Sequence, residues 1–175
     1  MTVVVDTNVI LVANNAHQDV SPECVLECVR QLQQLIHSGS IAIDDAHRIL
    51  GEYQNKTSPT KAKGVGDIFL KWVLTKLADT TRVHQVSLTE LTQDQFAEFP
   101  VAALEAAFDR PDRKFVAVSN AHPDKPPIWQ AADCKWLDWW SELKASGVEV
   151  QFLCGDDVCR FYTKKFPAKP MPSLP

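Results

Sequence analysis

Apolar residues along the chain follow two patterns, short β-branched runs and longer stretches with helical spacing. The runs predict five strands, at residues 3–5, 41–43, 83–88, 128–132 and 148–153. Between the strands, apolar positions recur every three or four residues, as in helices that bury one face. Strands that alternate with helices predict an α/β fold, a three-layer α/β/α sandwich with a central parallel sheet of about five strands.

Capping and breaking residues set the expected helix ends. Ser21 followed by Pro22 predicts a helix start, and Gly39 predicts its end. Asp44 or Asp45 is expected to cap the next helix, and Thr92 to cap one that contains Phe96. Residues 54–67 are rich in lysine and loop-forming residues and predict a loop. Further helices are expected at residues 68–78, 101–108, from 112 onward, 135–145 and 156–166.

Composition matches one ordinary globular domain, since 45% of the 175 residues are hydrophobic and 23% are charged. We expect a single domain at residues 1–166 and a proline-rich, disordered tail at residues 167–175. A net charge of -4 disfavours a broad basic surface for nucleic acid. Any nucleic acid would therefore be held by metal ions and a local patch.

The five cysteines are odd in number and lie on predicted helices or strand ends, so they are expected to be reduced thiols in the core. Cys24 and Cys28 have helical spacing, which leaves a zinc site as an alternative, but no second pair has ligand spacing. The start of the chain lacks the pattern of a secretory leader, and no apolar run is long enough to cross a membrane. A cytoplasmic location without membrane contact is expected.

Four carboxylates fall where this fold would bring them together. Asp6 directly follows the first strand, Glu52 flanks the apolar face of a helix, Asp112 opens a helix, and Asp133 follows the fourth strand. The carboxyl ends of parallel strands share one edge of a sheet, where ligands bind in open α/β folds. Each acid alone is also explained as a helix cap or a solvated helix residue. Together they predict a site for a divalent cation.

The chain resembles the PIN domain family of metal-dependent nucleases, which includes the toxin ribonucleases of toxin-antitoxin pairs. Val-Val-Val-Asp-Thr-Asn-Val at residues 3–9 resembles the first motif of that family, and Ile-Leu-Gly-Glu-Tyr at 49–53 the second. Asp-Arg-Lys-Phe-Val-Ala at residues 112–117 resembles the third, and Ala132-Asp133 the fourth. The likeness in order and spacing covers about residues 2–155.

The resemblance implies an endoribonuclease that uses Mg²⁺ or Mn²⁺ to hydrolyse RNA to 5′-phosphate and 3′-hydroxyl ends. Asp6, Asp112 and Asp133 are the expected metal ligands, and Glu52 either a fourth ligand or the residue that orients water. Asn8 is expected to fix the loop that presents Asp6. An antitoxin-like protein partner and a homodimer are further implications.

The fourth motif departs from the family pattern, because Ala131, Cys134 and Lys135 replace its usual hydroxyl and acidic neighbours. Asp138, about one helical turn beyond Asp133, is therefore a substitute candidate. Asp109 is a rival to Asp112.

Contacts with RNA are expected from cations near the acids. The candidate side chains are Lys56, Lys61, Lys63, Arg113 and Lys114. A solvated loop and a solvated helix start explain these cations equally well. Trp139 is the best tryptophan candidate for stacking on a base.

Two other functions fit parts of the pattern. Phosphoryl chemistry of the haloacid-dehalogenase type also uses an aspartate after an apolar strand, but it requires a second aspartate where this chain has Asn8. A PIN-like scaffold that binds RNA or protein without catalysis is the other alternative, favoured by the irregular fourth motif and the acidic composition.

Overall fold

The computed structural model of the chain describes residues 1–58, 60 and 63–175. Lys61, one of the predicted RNA contacts, lies outside these residues. In chain order the strands are β1 (Thr2–Val5), β2 (Ser40–Asp44), β3 (Val83–Val86), β4 (Glu90–Thr92), β5 (Gln95–Phe96), β6 (Ile128–Gln130) and β7 (Val150–Phe152).

Helices follow or separate the strands. They are α1 (Thr7–Ala13), α2 (Pro22–Ser38), α3 (Arg48–Lys56), α4 (Val65–Lys76), α5 (Ala102–Ala107), α6 (Arg113–Ala121), α7 (Trp140–Ala145) and α8 (Gly155–Lys165). Two 3₁₀ helices, Arg110–Asp112 and Cys134–Asp138, precede α6 and α7. The region predicted as one helix at residues 135–145 is thus a 3₁₀ helix followed by α7.

The main sheet has five parallel strands in the order β3-β2-β1-β6-β7, with helices on both faces. This confirms the predicted α/β/α sandwich and all five of its strands. The valines of β1 and the apolar residues of β2 are fully buried, as expected for a sheet covered on both sides. β1 is the central strand, so the residue that follows it lies in the middle of the carboxyl edge.

Capping explains where the first long helix begins. The hydroxyl of Ser21 accepts a hydrogen bond from the backbone N–H of Cys24, and Pro22 occupies the first helical position. Gly39 follows the last helical residue. Both predicted ends of α2 are confirmed.

The segment after β2 differs from the prediction in length. Helix α3 extends to Lys56 and α4 already begins at Val65, so the connecting loop is shorter than residues 54–67. The N-cap residue of α3 is His47 rather than Asp44 or Asp45, but the Asp44 carboxylate makes the capping hydrogen bonds, since it accepts from the backbone N–H groups of Arg48 and Ile49 at 2.8 and 2.9 Å.

A helix capped by Thr92 was the wrong prediction. Strands β4 and β5 form an antiparallel hairpin, with Asp94 in its turn at a φ of 58°. The backbone N–H of Phe96 donates to Glu105 at 2.9 Å, and the Phe96 ring is buried. Contacts distant in sequence outweigh the capping preference of a threonine, which is a weak local signal.

The prediction of five reduced thiols is also wrong, because Cys24 and Cys154 form a disulfide. The first turn of α2 and the start of α8 meet at the carboxyl edge, although 130 residues separate the two cysteines. Cys28 and Cys134 are buried thiols, and Cys159 is half-buried. Spacing along the sequence gives no sign of this pairing.

The tail contacts the body at two points. Trp140 Nε1 donates to the carbonyl of Ser173 at 2.9 Å, and Lys169 Nζ lies 3.2 Å from Asp138. Its disorder stays a prediction. No helix in the described ranges has both the length and the apolar character needed to cross a membrane.

Labelling of thiols tests the disulfide. If the protein is denatured without reductant and alkylated, we expect three modified cysteines by mass spectrometry, since two are bonded. Prior reduction should raise the number to five. Five modified cysteines without reduction would contradict the pairing.

Tyr53 connects α3 to the end of β1, where its buried hydroxyl donates to the carbonyl of Val5. We expect Tyr53→Phe to lower the free energy of unfolding by about 1–2 kcal/mol, because it removes a donor from a buried carbonyl. Chemical denaturation measures the change.

Tyr162→Phe is the matched control. Tyr162 donates to Asp138, whose side chain is 29% exposed and also pairs with Lys169, so water can replace the lost hydrogen bond. Tyr162→Phe is expected to lower the free energy of unfolding by less than Tyr53→Phe does. A decrease as large as that of Tyr53→Phe, or larger, would argue against a special role for the contact between Tyr53 and Val5.

Candidate active site

Asp6 lies at the carboxyl end of the central strand and caps α1. Its backbone is extended (φ −69°, ψ 144°), and its carboxylate accepts from the N–H of Asn8 at 2.7 Å. Only 5% of the residue is exposed. A buried carboxylate in the middle of this edge is the starting point of the site.

Asn8 joins the ends of two neighbouring strands. Its side-chain oxygen accepts from the backbone N–H of Ala132, just beyond β6, at 2.8 Å. Asp133 follows and caps the 3₁₀ helix Cys134–Asp138 by accepting from Lys135 N at 3.1 Å. The hydrogen bond between Asn8 and Ala132 is of the kind that the supporting role predicted for Asn8 requires.

Glu52 and Asp112 come from α3 and from the start of α6, two helices that contact each other. Asp112 precedes α6, and its carboxylate makes no hydrogen bond with the helix that it opens. Glu52 lies within α3, and its carboxylate is 2.5 Å from Lys114 Nζ. Lys114 also donates to the carbonyl of Pro111, and its side chain is only 9% exposed. A buried ion pair therefore links α3 to α6.

The pKa of Asp6 indicates that the other three predicted acids lie near it. Burial raises it well above the usual value, and the charges of Asp112, Asp133 and Glu52 raise it further. The hydrogen bond from Asn8 acts in the opposite direction. Repulsion of this kind acts between carboxylates that lie near one another.

The pKa of Asp112 is raised for similar reasons. Burial and the charge of Asp133 raise its pKa to about 7, while the ammonium group of Lys114 opposes the shift. Asp109 and Glu52 add smaller repulsion. Near neutral pH this carboxyl group gains or loses its proton readily.

The two rival acids have partners of their own. Asp138 accepts from Tyr162 at 2.5 Å and pairs with Lys169, so it faces α8 and the tail. Asp109 forms an ion pair with Lys135. Asp133 rather than Asp138 is the acid that acts on Asp6.

Two of the predicted RNA contacts have other partners. Arg113 is buried, and its guanidinium donates to the carbonyls of Phe108 and Asp94 at 3.2 and 3.3 Å. It holds the β4–β5 hairpin and cannot reach a phosphate without breaking these bonds. Lys114 is paired with Glu52 inside the site.

The other predicted lysine contacts that the structure describes, Lys56 and Lys63, are exposed. Lys56 is exposed and follows Glu52 by four residues, so it lies on the same side of α3 one turn later. Lys63 is exposed in the loop before α4.

Trp139 packs on the Phe108 ring, with centroids 4.0 Å apart, and this contact disfavours base stacking. Lys135, which the sequence interpretation did not consider as a site residue, lies between the acids and Asp109.

The ligand chemistry fits a hard divalent cation, because carboxylate oxygens are the donors that Mg²⁺ and Mn²⁺ prefer. The hydroxyl of Thr7, next to Asp6, is a buried polar group that has no hydrogen-bond partner within the described ranges. The raised pKa values of Asp6 and Asp112 indicate negative charge that Lys114 does not fully balance. Asp6, Asp112 and Asp133 would hold the ion.

The carboxylate oxygens of the four acids are less tightly grouped than the sulfur atoms of three cysteines. Among the residues described, only Cys24, Cys28 and Cys154 form a group of three whose possible ligand atoms all lie within 4.8 Å of one another. Two of these sulfurs are joined in the disulfide, so the group is not a set of three thiolates. Like-charged carboxylates repel, and oxygen ligation to a cation draws them together.

Comparisons with models of protein families, with curated proteins and with solved structures found no match to this chain. The likeness to PIN domains therefore stays a prediction from the motifs.

Replacing Asp112 tests the repulsion. Its pKa is about 7 in the folded protein against a usual 3.8, so the folded state binds more protons between these pH values and loses stability as the pH rises. We expect Asp112→Asn to increase the free energy of unfolding above pH 7 by on the order of 1 kcal/mol or more. The gain should shrink towards the lower end of this range.

Asp67→Asn provides a control of opposite sign. Burial opposes ionisation of Asp67, but hydrogen bonds from the backbone N–H groups of Ser58 and Lys63 outweigh it and lower the pKa. This variant should be less stable at neutral pH. Thermal melts across a pH series measure both, and a destabilised Asp112→Asn protein above pH 7 would contradict the crowded site.

Proposed function

We propose that the chain is a metal-dependent endoribonuclease of the PIN type, which uses Mg²⁺ or Mn²⁺. The observation that supports it most is the convergence of Asp6, Glu52, Asp112 and Asp133 at the carboxyl edge of the sheet. The motif order supports it independently, because these acids are the ones that the resemblance assigns.

Each acid has a role set by its surroundings. Asp6, Asp112 and Asp133 hold the cation, since burial and mutual repulsion favour a positive charge between them. A bound Mg²⁺ or Mn²⁺ supplies a Lewis acid that activates water and balances charge on the phosphodiester. Hydrolysis then leaves 5′-phosphate and 3′-hydroxyl ends.

Glu52 is better suited to orient the attacking water than to bind the metal. Its carboxylate is held by Lys114 at 2.5 Å, and this contact uses one of its oxygens. Lys114 in turn is fixed by the carbonyl of Pro111. The pair keeps Glu52 in one orientation while its side chain remains 24% exposed.

RNA is the proposed substrate, and Lys56 and Lys63 are the predicted contacts that remain exposed to reach its phosphates. Lys61 keeps its predicted role from the sequence alone. An antitoxin-like protein and a second copy of the chain are proposed partners on the basis of the resemblance.

A scaffold that binds RNA or protein without catalysis is the second candidate. Lys114 favours it, because an ammonium group already lies among the carboxylates and partly balances their charge. Phosphoryl chemistry of the haloacid-dehalogenase type has less support. It needs an acid at position 8, whereas the Asn8 side chain is bound to the backbone of Ala132.

Cleavage of labelled single-stranded RNA with Mn²⁺, Mg²⁺ or EDTA tests the enzyme. We expect metal-dependent products in the wild type and a rate lower by about 10²–10³-fold in Asp6→Asn and Asp112→Asn, since each variant removes a metal ligand. Asp138→Asn is the control, because this aspartate faces Tyr162 and Lys169, and should cleave like the wild type.

Products that persist in EDTA, or equal rates in all four proteins, would refute the metal mechanism. If no RNA is cut, calorimetry with Mn²⁺ decides between the candidates. Heat of binding that disappears in Asp6→Asn would keep the metal site, and no binding would favour the scaffold.

A further inference from the structure

A pocket of about 500 Å³ opens next to Asp133, one of the four acids. Asn8 and Asp133 belong to its wall, so it is continuous with the candidate active site. The rest of the wall comes from the loop after α1, the segment after β6 and the last turns of α8. Its volume is within the range of sites that enclose a small ligand or one unit of a larger one.

One side of the pocket is aromatic. His17 and Phe161 both line it, with ring centroids 5.8 Å apart and planes 34° from each other. The guanidinium of Arg160 lies over the Phe161 ring at 4.5 Å but does not line the pocket. Phe161 thus borders the cavity beside a histidine.

A second side is cationic. Lys164 and Lys165, in the last turn of α8, line the pocket and are exposed. Neither forms an ion pair with any acid in the part of the chain that the structure covers. Two adjacent lysines beside aromatic rings suit a ligand with both an anionic group and a flat ring.

We propose that this pocket binds one nucleotide of single-stranded RNA next to the phosphate that is cleaved. Its base stacks on Phe161 and His17, and its phosphate contacts Lys164 and Lys165. The inference builds on the proposed nuclease, since Asp133 is shared between the pocket and the metal ligands. It adds a subsite that the motifs do not include.

Charge favours RNA over an acidic peptide as the occupant. An acidic side chain in the pocket would face Asp133 as well as the lysines, and like charges repel at this distance. A nucleotide avoids this conflict, because its uncharged base can lie beside the rings while its phosphate meets the lysines. The continuing backbone then passes Asp133 towards the metal ligands.

Fluorescence anisotropy of a labelled single-stranded RNA, in EDTA so that it is not cut, tests the pocket. We expect Lys164→Ala/Lys165→Ala to weaken binding about fivefold or more and to reduce the salt slope of log K by about 1. Phe161→Leu should weaken binding by about tenfold with the slope unchanged, since stacking does not release counterions. Thermal melts check that each variant is folded.

Lys71→Ala/Lys76→Ala is the matched control, which removes two lysines from α4. Lys76 is in the last turn of that helix, ahead of β3 and thus towards the opposite edge of the sheet. This variant should bind RNA nearly as well as the wild type. Equal weakening by both lysine pairs would mean general attraction to charge and would overturn the pocket.

The result of the pocket experiment can be distinguished from the result of the cleavage experiment. Pocket-dependent RNA binding without cleavage would support the subsite as a nucleotide-binding site and leave the enzyme to the calorimetry with Mn²⁺. Cleavage with an unchanged KM in both pocket variants would support the enzyme and overturn the subsite. Failure of the wild type to bind RNA at low salt would also overturn it, and would leave the pocket as a surface for a protein partner.

Discussion

Repulsion between carboxylates is the interaction on which the carboxyl edge of this molecule depends. The central strand fixes Asp6 in a buried position, and α3, α6 and the end of β6 bring three more acids towards it. Lys114 is a buried cation near this group, and it is bound to Glu52. Burial and the charge of Asp133 raise the pKa of Asp112 to about 7, and a proton or a cation from solution would reduce the charge that remains.

Other acids of the region are each neutralised locally, which makes the group of four distinctive. Asp44 caps α3 and pairs with Arg48, Asp109 pairs with Lys135, and Asp157 pairs with Arg160. Asp138 is bound by Tyr162 and Lys169. Many cations near these acids are thus used in local ion pairs, whereas Asp6, Asp112 and Asp133 form no ion pair in the part of the chain that the structure describes.

The strands, and the position of Asp6 after one of them, were predictable because both depend on local patterns. β-branched runs give buried strands, and an acid directly after such a run falls at the carboxyl edge in any parallel sheet. The β4–β5 hairpin was missed, since its stability comes from Glu105 and Arg113, which are distant in sequence. The disulfide was missed for the same reason, because Cys24 and Cys154 are 130 residues apart in the sequence.

Basic residues were the least predictable part of the site. An arginine one position after Asp112 looks like a phosphate contact, yet the packing of α6 turns Arg113 inwards. Lys164 and Lys165 look like ordinary cations at a helix C-terminus, where they favour the helix dipole. Only the return of α8 to the edge of β6 shows that they line a pocket.

The bond between Cys24 and Cys154 also has a mechanical consequence. It closes a covalent ring that contains β2, β3, β6 and β7 but leaves β1, with Asp6 at its end, outside. The central strand therefore lies outside the ring, inserted between two of its members. A force applied to the two ends of the chain would act on β1 and α8, while the ring would shield the strands and the acids Glu52, Asp112 and Asp133 from extension.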